Sequence, residues 1–168
     1  MKYIKALIST IVLVLFDQWT KLMVLTHIKP ISSVSLIRGV LSFTYHENRG
    51  AVWGIMQGQI PVLIVTTLVI LAVVVFIYFK IPDSRKYIWL RIVSVLLISG
   101  AIGNFIDRIF RHYVVDFIYF ELINFPIFNV ADIYVCVAAG LLILVSLIVY
   151  KEDSDFDFLN FKKGEKHE

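Results

Sequence analysis

Charge is scarce in this 168-residue chain: Asp, Glu, Lys and Arg together make 17% of it, against roughly 25% in soluble domains. That shortage excludes a large solvated surface, and 59% of the residues are apolar instead. Cysteine occurs once, as Cys136 within IYVCVAAG. A lone thiol forms no intramolecular disulfide and no Cys-ligated metal centre, and its neighbours suggest a buried small hydrophobe. His27, His46, His112 and His167 are scattered, so zinc-ligand spacing is missing. A phosphate-cradling loop, a GxSxG elbow and an SxxK motif are missing too. Serine and cysteine hydrolase chemistry therefore falls away.

What is present is long apolar sequence. A bilayer core needs about 20 mainly apolar residues in a helix, and four segments qualify. They are Ile4 to Leu25, interrupted by Asp17 and Lys21; Ile60 to Phe79, with no charge; about Ile88 to Ile106; and about Ile133 to Tyr150. The basic start MKYIKALIST resembles a signal peptide, but no small-x-small site follows, so the first segment reads as a retained helix. The fold class predicted is an α-helical integral membrane protein. Four transmembrane helices carry a small extracytoplasmic β-rich segment, about residues 26–59, between the first two. In that segment LIRGVLSFTYHENRGAVWG suggests a hairpin around ENRG. Residues 1–150 read as one membrane domain and 151–168 as a polar, mobile cytoplasmic tail.

The net charge of +3 raises a nucleic-acid partner, but the cations are dispersed among loops and tail. Lys2, Lys5, Lys80, Arg85, Lys86, Arg91, Lys151, Lys162, Lys163 and Lys166 fall on one side. Lys29, Arg38, Arg49, Arg108 and Arg111 fall on the other. The positive-inside rule then puts both termini in the cytoplasm, and no nucleic-acid partner is expected.

Polar residues inside this apolar background need a reason. DQWTK spaces Asp17 and Lys21 as i, i+4, suited to an intrahelical ion pair with a structural role. In GAIGNFIDRIF, Gly100, Gly103, Asn104, Asp107 and Arg108 share one helix face. That face is either a packing seam or part of a site. Asn129 in FNVAD is a candidate N-cap with Asp132 as the third helical residue. Such a cap accounts for Asp132 but leaves Asp116, inside extended VVDFI, without a local role. No Lys or Arg lies within four residues of either.

Two carboxylates at a lipid–water boundary suit aspartyl chemistry, because neighbouring like charges hold one proton between them. The ionised member takes a proton from water while the protonated one bonds the scissile carbonyl. Asp132, beside a helix N-terminus, is the expected initial base. Asn104, Asp107, Asp116, Asn129 and Asp132 are also oxygen ligands of the kind Mg²⁺ accepts. A small transporter, or an assembly subunit packed through Gly100 and Gly103, stays open at this point as well.

Taken in order, DQWTK, NRGA, GNFIDR, VVDF and FNVAD resemble the lipoprotein signal peptidases, the type II signal peptidases of bacteria. The resemblance implies a membrane aspartyl endopeptidase needing no metal and no cofactor. Such an enzyme cleaves a prolipoprotein just before a diacylglyceryl-modified cysteine, at the outer face of the bacterial cytoplasmic membrane. It implies Asp116 and Asp132 as the catalytic pair. Asn48, Gly100, Asn104, Arg108 and Asn129 would hold substrate and site, and Asp17, Lys21 and Asp107 would support the fold. The partners implied are the lipidated precursor and membrane lipids, with the enzyme a monomer. The sequence departs from the family pattern at Val52 and Trp53, at His112, where Gly is frequent, and at Ile133, where Ser is frequent.

Overall fold

A computed structural model describes residues 2–50 and 56–159. Four helices in it are long and apolar enough to cross a membrane: α1 (Lys2–Met23), α2 (Ile60–Lys80), α3 (Ile88–Arg111) and α4 (Val130–Ile148). Their outward surfaces are apolar. Leu15 is 64% exposed and Leu147 69% exposed, the reverse of a water-soluble bundle and the arrangement a lipid environment favours.

The chain runs up and down. Pro61 occupies the first turn of α2, where its missing N–H costs nothing. His112 ends α3 in the left-handed region, with φ of 61°. This is the geometry that makes glycine common at helix ends. α3 packs against each of the other three helices. The third and fourth helices extend beyond their expected bounds at the same end: α3 continues to Arg111 and α4 begins at Val130.

At that end lies a three-stranded antiparallel sheet of β1 (Ser33–Ile37), β2 (Leu41–Asn48) and β3 (Val114–Phe120), in that order. The hairpin turn falls at residues 38–40, with Gly39 at φ of 73°. The turn expected at ENRG is instead the end of β2: Asn48 is still paired with Val114, and His46 with Asp116. The first four residues of β3 are buried, because α1 and α3 cover the strand. Val24, Val115 and Phe117 form the apolar cluster beneath the sheet.

The first and last described segments come together at the opposite end. Lys2 Nζ donates to Ile81 O at 2.8 Å, and Tyr150 OH donates to Lys86 O at 2.6 Å. Asp153–Leu159 forms a 3₁₀ helix whose Phe156 and Phe158 pack on the cluster of Tyr78, Ile81, Leu90, Val145 and Tyr150. This part of the tail is docked, contrary to the mobility expected of a polar tail. Residues 160–168 lie outside the described residues. Cys136 is exposed and not buried as expected, because in this bundle an apolar helix face points outward.

Candidate active site

The site begins with a helix cap. Asn129 is extended at the entrance to α4, and its side chain accepts from Asp132 N at 3.1 Å. Asp132 Oδ2 accepts from Asn129 N, also at 3.1 Å. This reciprocal box satisfies two N–H groups that a helix start leaves free. It also fixes the carboxylate, whose other oxygen accepts from Asn104 Nδ2 at 2.8 Å.

Asn129 does more than cap. Its Nδ2 donates to Asp116 Oδ1 at 2.6 Å and to Asn104 Oδ1 at 3.1 Å. One fully buried residue thus bonds both carboxylates expected to act together, Asp116 through its side-chain amide and Asp132 through its backbone N–H. Asp116 Oδ2 accepts from Asn48 Nδ2 at 2.9 Å. Asn48 stands diagonally across the β2–β3 ladder from Asp116, two positions on from its direct partner, within side-chain reach. Asn48 Oδ1 in turn accepts from Gly50 N at 2.9 Å, which orients the amide.

Asp116 is 1% exposed. Burial pushes its carboxyl up to about 7, and the charge of Asp132 adds to this. The Asn48 and Asn129 amides pull the other way but do not offset burial. Asp116 can therefore hold a proton near neutrality, beside a second carboxylate that is only half-buried. That combination serves general acid–base attack by water.

Arg108 is half-buried beside the pair. It donates to Gly50 O at 3.3 Å, and its buried Nε has no protein acceptor among the described residues.

Behind the pair lies a buried ionic cluster. Lys21 Nζ is 2.9 Å from Asp17 Oδ2 and 3.1 Å from Asp107 Oδ2, and it donates to Asn104 Oδ1 at 3.1 Å. Asp17 Oδ1 accepts from Ala131 N, in the first turn of α4, at 2.9 Å. Asp107 Oδ2 accepts from Val115 N at 3.1 Å, holding the residue next to Asp116. Arg111 closes the cluster on Asp107 Oδ1, so two cations meet two anions. Buried charges are tolerated when paired and hydrogen-bonded in this way.

The glycine face makes the close approach possible. A Cβ on Gly100 would stand 2.5 Å from Ala131 O, and one on Gly103 would stand 2.5 Å from Asp17 Oδ2. All eleven singled-out polar and glycine residues, from Asp17 to Asp132, therefore gather at one end. Gln18 and Arg111 were not anticipated. Gln18 donates to Asp17 Oδ2 and Gly103 O, each at 3.1 Å, and Arg111 sits i+4 from Asp107. The i, i+4 spacing was the available signal for Arg111.

A family model described as signal peptidase (SPase) II matches residues 9–148. The chain belongs to the signal peptidase II family. It is 43% identical over 140 residues to the lipoprotein signal peptidase of Halalkalibacterium halodurans, covering 82% of this chain and 88% of that one. It is 37% identical over 144 residues to the lipoprotein signal peptidase of Staphylococcus aureus, covering 84% and 87%. A bacterial membrane enzyme solved by the in meso method at 2.3 Å resolution superposes with a TM-score of 0.77 at 35% identity, over 89% of this chain and 92% of that one. A second, solved at 1.9 Å, gives 0.74 at 36%, over 86% and 93%.

As a member of the signal peptidase II family, the chain is a multi-pass membrane protein of a peptidase family. Of the departures from the family pattern, His112 takes up a left-handed backbone in place of Gly. Ile133 points outward, 38% exposed. Val52 and Trp53 lie outside the described residues.

Proposed function

We propose that this protein is an aspartyl endopeptidase that removes the signal peptide of a lipoprotein precursor, cutting before a diacylglyceryl-cysteine, with Asp116 and Asp132 as the catalytic pair. The observation that carries this is Asn129, whose side-chain amide donates to a buried carboxyl titrating near 7 while its backbone N–H donates to a carboxylate held by a helix cap. Signal peptidase II relatives of known name support the substrate class.

The chemistry follows from the two environments. Asp116 holds the shared proton and Asp132 acts as base. A water between them gives a proton to Asp132 and adds its oxygen to the scissile carbonyl carbon, while Asp116 passes its proton to the carbonyl oxygen. On collapse the carbon–nitrogen bond breaks. Asp132 returns its proton to the leaving amine of the cysteine, and Asp116 recovers one from a hydroxyl. Asn48, Asn104 and Asn129 keep both carboxyls aimed. Arg108, with an unused buried donor, holds the substrate backbone, and Gly100 keeps α4 close.

The pair lies at the membrane surface, where a lipid anchor would hold its peptide. Binding energy from acyl chains then positions a bond that is otherwise slow to hydrolyse. The excess of Lys and Arg on the side of the two termini supports a cytoplasmic placement for both, with the site at the outer leaflet of the bacterial inner membrane. Residues 1–150 act as the peptidase domain, as a monomer.

The test is Asp116→Asn and Asp132→Asn, each purified and assayed on a diacylglyceryl-modified precursor peptide, with thermal unfolding alongside. Both should fold, and both should lose cleavage by a factor on the order of a thousand or more. Normal cutting by either folded variant sinks the assignment.

A further inference from the structure

The end of the bundle that carries both termini holds a cavity of 460 Å³ between α1, α2 and α3. No residue of the carboxylate site lines it. Its lining is cationic at the rim nearest the helix ends and apolar further along the helices. Lys2, Lys5 and Arg91 form the cationic part, and Leu13, Val95 and Leu96, up to about two turns further along α1 and α3, form the apolar depth. From Lys5 to Leu13 the slot follows α1 for about 12 Å at the usual helical rise.

The cations are not equally committed. Lys2 donates to Ile81 O at 2.8 Å. Arg91 donates to Pro82 O at 2.9 Å and Ser84 O at 3.0 Å, and pairs with Asp83 at 3.2 Å. Asp83, the one carboxylate among the described residues that line the cavity, is thus already matched. Lys5 is exposed and has no hydrogen-bond or ion-pair partner among the described residues. The rim therefore carries a surplus of positive charge over an apolar slot of the size that holds small ligands.

We propose that this groove binds one anionic phospholipid from the leaflet on the side of the termini. Its phosphodiester sits at Lys5, supported by Lys2 and Arg91, and one acyl chain lies along Leu13, Val95 and Leu96. A small free anion would use the rim and leave the apolar depth unfilled. A zwitterionic lipid would fill the depth and bring its own cation to a rim that already has three. Only a lipid with net negative charge matches both parts, as basic pockets between membrane helices do elsewhere.

The experiment uses the full chain in nanodiscs of phosphatidylcholine alone, or of phosphatidylcholine with one part in five phosphatidylglycerol. Thermal unfolding and native mass spectrometry are read together. Phosphatidylglycerol should raise the unfolding temperature of the wild type by several degrees, and one copy should stay bound. Lys5→Gln and Leu13→Trp should each remove most of that rise and cut the retained lipid at least fivefold. Lys151→Gln, an exposed cation away from the groove, should keep both. Ser9→Phe blocks the same slot from its exposed rim, and replaces Leu13→Trp if that variant is already destabilised without the anionic lipid. The proposal is overturned if Lys5→Gln or the blocked variant keeps the full effect, or if Lys151→Gln loses as much. It also falls if soluble glycerol phosphate reproduces the shift. Cleavage is not a readout, so the result is independent of the peptidase assignment.

Discussion

Lys21 donates to the carbonyl oxygen of Asn104, and Asn104 therefore presents its amide nitrogen to Asp132. An amide has one acceptor end and one donor end, so a cation at the first decides where the second points. The ammonium that pairs with Asp17 and Asp107 thus also sets a donor in the site.

Lys21→Met would leave two carboxylates buried against a partial complement of donors. The expected cost is about 3–5 kcal/mol, with cleavage reduced further than the residual folded fraction accounts for. Unfolding in detergent and a folded-fraction-corrected rate measure the two effects. A loss of stability below about 1 kcal/mol would contradict the cluster as described.

Asp116, pushed up to about 7 by burial and by Asp132, is protonated below that value and charged above it. Cleavage should hold through mildly acidic pH and fall as pH rises through about 7. The folded state binds this proton more tightly than the unfolded chain, whose carboxyl titrates near 3.8. Its contribution to stability is therefore greatest below about pH 4 and is lost as pH rises to about 7. Asp116→Asn should flatten that part of the stability profile. Unfolding temperatures from pH 4 to 8, wild type against variant, provide the check.

Asn48 donates to Asp116 and favours its charged form. Asn48→Ala should move the alkaline limb of the pH–rate profile upward, and should lower the maximal rate on the order of tenfold or more. An unchanged rate and an unmoved limb would remove Asn48 from the site.

Gly100 faces a backbone oxygen that no side-chain adjustment can move, 2.5 Å from where a Cβ would stand. Gly100→Ala should destabilise by about 1–3 kcal/mol through overpacking. Gly140 has nothing within 4 Å of its Cβ position. Gly140→Ala should be neutral or stabilise by up to about 1 kcal/mol. The contrast between the two in one unfolding assay separates close approach from helix propensity.

The four spans could be read from apolar runs because lipid exposure demands uninterrupted hydrophobic length. Their ends at the site could not. Asp107, Arg108 and Arg111 look like the polar edge of a membrane helix. Yet α3 continues through them, because their partners are Gln18, Lys21 and Gly50 rather than water. The cap at Asn129 was legible from FNVAD, a local pattern. The bond from Asn129 to Asp116 was not, nor was the pairing of β3 with β2, which brings Asn48 and Asp116, 68 residues apart, within side-chain reach. Cys136 was misplaced for a simpler reason. Apolar neighbours indicate burial in water, whereas in this bundle they also line the outside.

Asp17 and Ala131 are hydrogen-bonded across 114 residues of chain, so Asp17 must enter the bilayer long before α4 exists to receive it. Its neighbour at i+4 supplies the interim solution. Asp17 and Lys21 can pair within α1 alone, and the first helix can insert as an electrically neutral segment during synthesis. Asp107 and Asn104 then arrive with α3, and the cap of α4 arrives last. The machinery is therefore complete only once the final span is in place, and an interrupted chain would be membrane-embedded yet inert.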